Sequence, residues 1–181
     1  MQIETERLLL RPFEEADAAD LYKYAKDPEV GPAAGWPPHG SIEESRNIIR
    51  LVLSDPESYA ICKKEDGRVI GAIALSLNGD SRLAEEEDEC ELGYWIGKPF
   101  WGQGLMTEAS EALLRRAFTE LGMRRVWCAY FEGNEKSKRV QEKLGFRHEK
   151  TLRDVDVPLL KEVRIEHVSL LSREAWRLKN M

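Results

Sequence analysis

The block from Glu89 to Gly145 constrains the fold more than any other part of the chain. Cys90, Leu92, Tyr94 and Ile96 alternate with Glu91, Gly93 and Trp95, the period-two pattern of a strand. Gly102-Gln103-Gly104 follows and leads into a helical pattern from Thr107 to Leu121, closed by Gly122 at a C′-like position. Arg125 to Tyr130 is a second β-rich run, and a helix from Ser137 to Leu144 ends at Gly145. Strand, glycine turn, helix and strand in that order make a crossover that leaves its two strands parallel.

The flanks are of another kind. Arg7 to Leu10 reads as a short strand, and Ala18, Leu21, Tyr22 and Ala25 behind it have helical spacing. Gly31 to Gly40 holds three Gly and three Pro and reads as a loop. Ser41-x-x-Glu44 is a capping box opening a helix with Ile48, Ile49, Val52 and Leu53 on one side. Tyr59 to Lys63 and Val69 to Leu77 form a hairpin about Asp66-Gly67. Asn78 to Glu89, which includes the run EEEDE, reads as a solvated connector, with a cation site as the second reading. Phe146 to Leu152 and Val163 to Leu171 close the pattern ahead of a polar tail. The expected class is α/β (α+β): one domain over residues 1–181, with a mixed, mostly antiparallel sheet of about seven strands and about four helices.

Composition removes whole function classes. Lys and Arg number 27 against 33 Asp and Glu, a net charge of -6, which argues against a nucleic-acid surface built on clustered cations. Cys62, Cys90 and Cys128 are an odd number with no CxxC spacing, so neither a disulfide framework nor a metal site is expected. The apolar run Leu8 to Leu10 is too short for a signal peptide, and no segment approaches the ~18 apolar residues of a membrane span. A cytoplasmic protein, monomer or homodimer, is the expectation.

A glycine turn at a helix start is either a tight connection or a cradle for an anion, because the first N–H groups of a helix lack intrahelical partners. Two phosphate motifs are excluded. Walker A ends in Gly-Lys-Ser/Thr, whereas Gly104 precedes Leu105-Met106-Thr107. The dinucleotide fingerprint needs a third glycine where Thr107 stands.

ELGYWIGKPFWGQGLMTEA followed by NEKSKRVQEKLGF resembles the GNAT superfamily of acetyl-CoA-dependent N-acetyltransferases. The resemblance is closest to the branch that acetylates ribosomal-protein N-termini. It extends to TERLLLRPFEEAD, to AGWPPHGSIEES and to Arg173-Glu174-Ala175-Trp176. It implies acetyl-CoA as co-substrate, an amine acceptor and direct transfer in a ternary complex. The family's pyrophosphate loop falls on Trp101, Gly102, Gln103, Gly104, Leu105 and Met106, with Thr107 beyond it. Only Gly104 matches the family pattern strictly, so backbone N–H contacts carry over and a first-position side-chain contact does not. The main chain of Tyr94, Trp95 and Ile96 is implied to pair with the pantetheine arm, and Asn134 and Ser137 to lie near the thioester.

An amine arrives protonated and must lose a proton before attack. Glu91, on the strand where relatives carry a glutamate, is the candidate base, and Glu89 on the same face is the fallback. An ordinary exposed strand carboxylate is the competing reading. Many superfamily members place a tyrosine seven residues after the Asn, where this chain has Gln141. Ser137 therefore stands as the group that meets the departing thiolate. Asn134 and Ser137 also suit helix capping. Trp36 and His39 are implied to border the acceptor groove, with His39 otherwise a surface residue. Trp95 and Trp101 suit core or groove equally, and His148 and His167 have no partner evident from the sequence. A module that binds CoA without catalysis, and an interaction protein, are the rivals from other classes.

Overall fold

The computed structural model describes residues 1–77 and 80–181, so Asn78 and Gly79 of the acidic connector lie outside the described residues. Eight strands and six helices are found among the described residues, against about seven and about four expected from the pattern. The strands are β1 (Ile3–Glu4), β2 (Leu8–Arg11), β3 (Ser58–Lys63), β4 (Val69–Leu77), β5 (Glu89–Ile96), β6 (Arg125–Phe131), β7 (Arg147–Val157) and β8 (Glu162–Ser172). The helices are α1 (Ala18–Ala25), α2 (Gly31–Ala34), α3 (Ile42–Leu51), α4 (Leu105–Thr119), α5 (Glu135–Leu144) and α6 (Arg173–Lys179). The sheet order is β1-β2-β3-β4-β5-β6-β8-β7. β5 and β6 run parallel, as the crossover requires, and the β1/β2, β2/β3, β3/β4, β6/β8 and β7/β8 pairs are antiparallel.

The contacts divide into two compact units, residues 1–74 with 94–109 and residues 75–93 with 110–181, so β4, β5 and α4 each contribute to both. In the first unit, Leu8, Leu10, Tyr59, Ile61 and Ile73 are buried, and α1 and α3 bring Ala18, Leu21 and Ile49 together. Ser41 caps α3 by accepting the Glu44 N–H at 3.0 Å. The return bond of the expected capping box is displaced by one residue, since the Glu44 carboxylate accepts from the Gly40 N–H. Val52, expected on the apolar face, is exposed because α3 ends at Leu51. The Gly31–Gly40 loop contains the one-turn helix α2, which carries Pro32 in its first turn and which Gly35 ends at φ 95°.

The second unit holds the β5/β6 ladder and the β6-β8-β7 antiparallel set. The connector departs from the solvated reading: Leu83 and Ala84 are buried, while Glu85 to Glu87 stay exposed. The tail also departs from its reading. It forms α6, capped by Ser172, with Trp176 packed against Phe118 at a ring separation of 5.3 Å. Arg173 ties the start of that helix to the carbonyls of Met123 and Gly122. Such short helices form on tertiary support rather than on propensity.

Candidate active site

In the first unit, β5 leads through a 3-10 turn at Lys98–Phe100 into the glycine turn. The Trp101 indole N–H donates to the Ile96 carbonyl at 2.9 Å, so Trp101 pins the turn to the strand end. Gly102 and Gly104 have φ of 74° and 75°, the left-handed region that side chains disfavour. α4 begins at Leu105, two residues before the expected Thr107, so Leu105, Met106 and Thr107 form its first turn. Their N–H groups have no intrahelical carbonyl, and the helix dipole favours an anion there. The turn can thus receive a phosphate on its main chain.

Arg7 was not singled out by the sequence. Its guanidinium donates to the Gln103 carbonyl at 3.0 Å and to Glu108 at 2.6 Å, bracing the turn against β2. Glu108 also accepts from Thr5 Oγ1 at 2.6 Å and from the Arg7 N–H at 2.8 Å. Burial alone would raise the Glu108 carboxyl, but these donors win and hold it below the ordinary range. It therefore stays ionised and keeps the Arg7 brace in place.

Trp36, His39 and Trp95 come together in this unit. The Trp36 ring lies 5.2 Å from the His39 ring and 5.4 Å from the Trp95 ring. His39 is not a surface residue: it is buried, with Nδ1 2.8 Å from Ser45 Oγ. Burial lowers its pKa, which keeps the ring neutral at pH 7. Trp95 also packs against the Ala18, Leu21 and Ile49 cluster, so it serves the core as well.

In the second unit, Glu91 and Glu89 have separate environments. Glu89 is buried, with its two oxygens taken by Arg125 Nη1 at 3.0 Å and Trp127 Nε1 at 2.8 Å. Glu91 accepts from Ser81 Oγ at 2.9 Å. Burial raises the Glu91 carboxyl above the ordinary carboxylate range, with the Ser81 hydroxyl and Arg82 opposing and Glu166 adding to the rise. That is the direction a general base working near neutrality needs. Glu91 is thus not an ordinary exposed strand carboxylate, and both oxygens of Glu89, the fallback, are engaged by donors. Glu89→Gln is expected to cost about 1–3 kcal/mol of stability in chemical denaturation, since it leaves a buried bond unmade. It should leave the pH profile of any activity in place.

Asn134 is the N-cap of α5, with Oδ1 accepting the Ser137 N–H at 3.2 Å, so the capping role of Asn134 is realised. Gln141 Nε2 reaches Ser137 Oγ at 3.3 Å, while Gln141 Oε1 is buried with no hydrogen-bond partner among the described residues. His148 and His167 do have partners. Thr151 Oγ1 lies 2.9 Å from His148 Nε2 and 3.1 Å from His167 Nδ1. Cys62, Cys90 and Cys128 are buried thiols outside any disulfide, and burial pushes the Cys62 thiol up to about 11. Among the described residues no group of His, Cys, Asp or Glu is placed to hold a metal ion, and no helix is long and apolar enough to cross a membrane.

Comparison with known proteins agrees with this arrangement. Residues 7–147 match the model of the acetyltransferase (GNAT) domain. The chain is 31% identical to the protein named "Uncharacterized N-acetyltransferase p20" of Bacillus licheniformis, over 94% of this chain and 96% of that one. Its fold is similar to that of a GNAT-family acetyltransferase from Bacillus anthracis, with TM-score 0.84 and 24% identity, covering 96% of this chain and 99% of the other. It is likewise similar in fold to the ribosomal-protein-S5-alanine acetyltransferase of Vibrio fischeri, with TM-score 0.73 and 19% identity over 97% and 98% of the two chains. The match over residues 7–147, a span that holds the glycine turn between β5 and α4 together with Glu91, Asn134 and Ser137, shows that this chain belongs to the GNAT acetyltransferases.

Proposed function

We propose that residues 1–181 act as one acetyltransferase domain that moves the acetyl group of acetyl-CoA to a primary amine, by direct attack in a ternary complex. The observation that carries the reading is the pair of left-handed glycines, Gly102 and Gly104, opening the 15-residue helix α4 in the segment that follows β5. The main-chain N–H groups from Gly102 to Thr107 hold the pyrophosphate of the co-substrate, with the Arg7 brace keeping them in position. Tyr94, Trp95 and Ile96 offer main chain to the pantetheine arm.

Bound acetyl-CoA supplies an activated thioester carbonyl. Glu91 takes the proton that the acceptor ammonium must lose, and its raised pKa suits that task. Ser137 gives a hydrogen bond to the departing thiolate, and Asn134 holds the start of α5 that carries it. Trp36 and His39, packed with Trp95, border the acceptor. Between a protein N-terminus and a small amine, the fold likeness to an enzyme named for ribosomal-protein alanine favours the N-terminus.

The test is thiol release from acetyl-CoA with tetrapeptides bearing free N-terminal Ser or Ala and with small primary amines, beside calorimetric titration of CoA. Acceptor-dependent release is the expected result. Binding of CoA without release from any acceptor would leave a binding module, and no binding would overturn the co-substrate assignment.

A further inference from the structure

The connector between β4 and β5 touches Glu91, and that contact has a defined direction. Ser81 Oγ accepts the backbone N–H of Leu83 at 3.0 Å and of Ala84 at 2.9 Å. A hydroxyl has two lone pairs and one hydrogen. With both lone pairs taken, the hydrogen is left for Glu91 Oε2 at 2.9 Å. The turn that fixes Ser81 is itself anchored, because Leu83 and Ala84 are buried. Arg82, the next residue, pairs with Glu166 of β8, whose carboxylate is buried. The Arg82 main-chain N–H also donates to the Glu91 carboxylate, and the charged groups facing Glu91 are Arg82 from the connector and Glu166 from β8, while Glu89 on its own strand is engaged by Arg125.

We propose that Ser81 is a positioning residue for Glu91: its hydroxyl pins Oε2 and leaves Oε1 to take the acceptor's proton, while Glu166 shares the Arg82 guanidinium with the base. The inference rests on the reading of Glu91 as general base. When the acceptor N–H bond breaks, its electron pair stays on nitrogen and the proton goes to Oε1. Oε2 remains an acceptor for Ser81 in both protonation states, so the carboxyl does not rotate as it titrates. A donor aimed at a carboxylate favours the ionised form, so Ser81 lowers the Glu91 pKa, and its loss raises it. A carboxylate beside a free guanidinium would be lowered much further. Pairing Arg82 with Glu166 keeps Glu91 basic enough to work.

The experiment is a carboxyl titration of the full chain labelled with 13C-glutamate, in which the Glu91 signal is the one lost in Glu91→Gln. This reading needs no acceptor. Ser81→Ala should raise the Glu91 midpoint by about one pH unit, the scale of one charge-assisted hydrogen bond. Ser81→Thr, which keeps the hydroxyl, should hold it near its original place. Glu166→Gln should move it down, because a like charge disappears and Arg82 is released. The acid limb of kcat/KM, measured with whichever peptide or amine the unaltered chain acetylates, should follow the midpoint in each variant. If Ser81 only braces the connector, Ser81→Ala lowers Tm and leaves midpoint and limb unmoved, which overturns the proposal. Should Glu91→Gln keep its full rate, the base reading falls and this role with it. An inactive Glu91→Gln beside an unmoved midpoint in Ser81→Ala overturns the positioning role alone.

Discussion

Glu91→Gln is expected to lower kcat for acetyl transfer by about 100- to 10,000-fold, the contribution of a positioned general base, with the affinity for CoA unchanged. The substitution is nearly isosteric, and the amide oxygen still accepts from Ser81, so the local hydrogen bond survives while the ability to take a proton is lost. The pH dependence has a fixed sign. As the proposed base, Glu91 works as the ionised carboxylate, and burial raises its pKa from the ordinary carboxylate value. Activity of the unaltered chain should thus fall as pH drops through that raised value, and the acid limb should be absent from the residual rate of Glu91→Gln. Stationary kinetics across pH 5 to 9 check both.

The same burial has a second consequence, with the opposite sign for stability. A carboxyl whose pKa is higher in the folded chain than in the unfolded one binds protons more tightly when folded. Its contribution to stability then declines as pH rises from the unfolded value through the folded one. Glu91→Gln removes that cost and should raise Tm above pH 7 while it removes activity. An ordinary structural carboxylate would behave otherwise, as Glu89→Gln is expected to do. A Glu91→Gln chain with full kcat would remove Glu91 from the mechanism.

The order β5, glycine turn, α4, β6, α5 was legible because each step has a short-range cause. Alternation marks β5, Gly145 ends α5 at φ 94°, and Asn134 and Ser41 cap the helices they precede. What stayed hidden depends on partners far away in the chain. Arg7 reaches Glu108 across 101 positions, and Arg82 reaches Glu166 across 84. No local pattern encodes either pair. The connector was misread for a related reason: the charge run EEEDE suggests solvent throughout, yet the preceding Leu83 and Ala84 are held down by the Ser81 turn. α6 escaped notice because seven residues carry little propensity, and its support comes from Phe118 on α4. For the same reason His39 read as a surface residue, since its partner Ser45 belongs to the next helix. Glu91 was singled out by its strand, whereas its burial and its neighbours Ser81, Arg82 and Glu166 come from the fold.

Gly71→Ala is expected to destabilise the chain by about 3 kcal/mol and to lower Tm by about 10 °C, the upper range for forcing an atom into packed structure. Gly71 lies on β4 opposite Ile61, in ordinary extended backbone. The constraint is space. A Cβ there would fall on the carbonyl oxygen of Trp95 and within 2.9 Å of the Ile96 Cα, both main-chain atoms of β5 that cannot swing aside. The displaced segment would carry its attachments with it. Ile96 offers its carbonyl to the Trp101 indole at 2.9 Å, and the Gly97 N–H donates to the Ile70 carbonyl at 2.8 Å. Gly97 is itself closely approached, since a Cβ there would lie 2.7 Å from the Tyr24 ring. Strain at Gly71 therefore passes to the glycine turn through Trp101, and the affinity for CoA should fall together with Tm. Gly93→Ala on the neighbouring β5 is the control. Gly93 is exposed, and a Cβ there meets nothing within 4 Å, so its stability should change by less than about 1 kcal/mol. Thermal melts of the two variants, with and without CoA, separate a close approach of two strands from a general intolerance of alanine. Equal melting of Gly71→Ala and Gly93→Ala would mean that β4 and the end of β5 can move apart without cost, and the rigid support inferred for the turn would be lost.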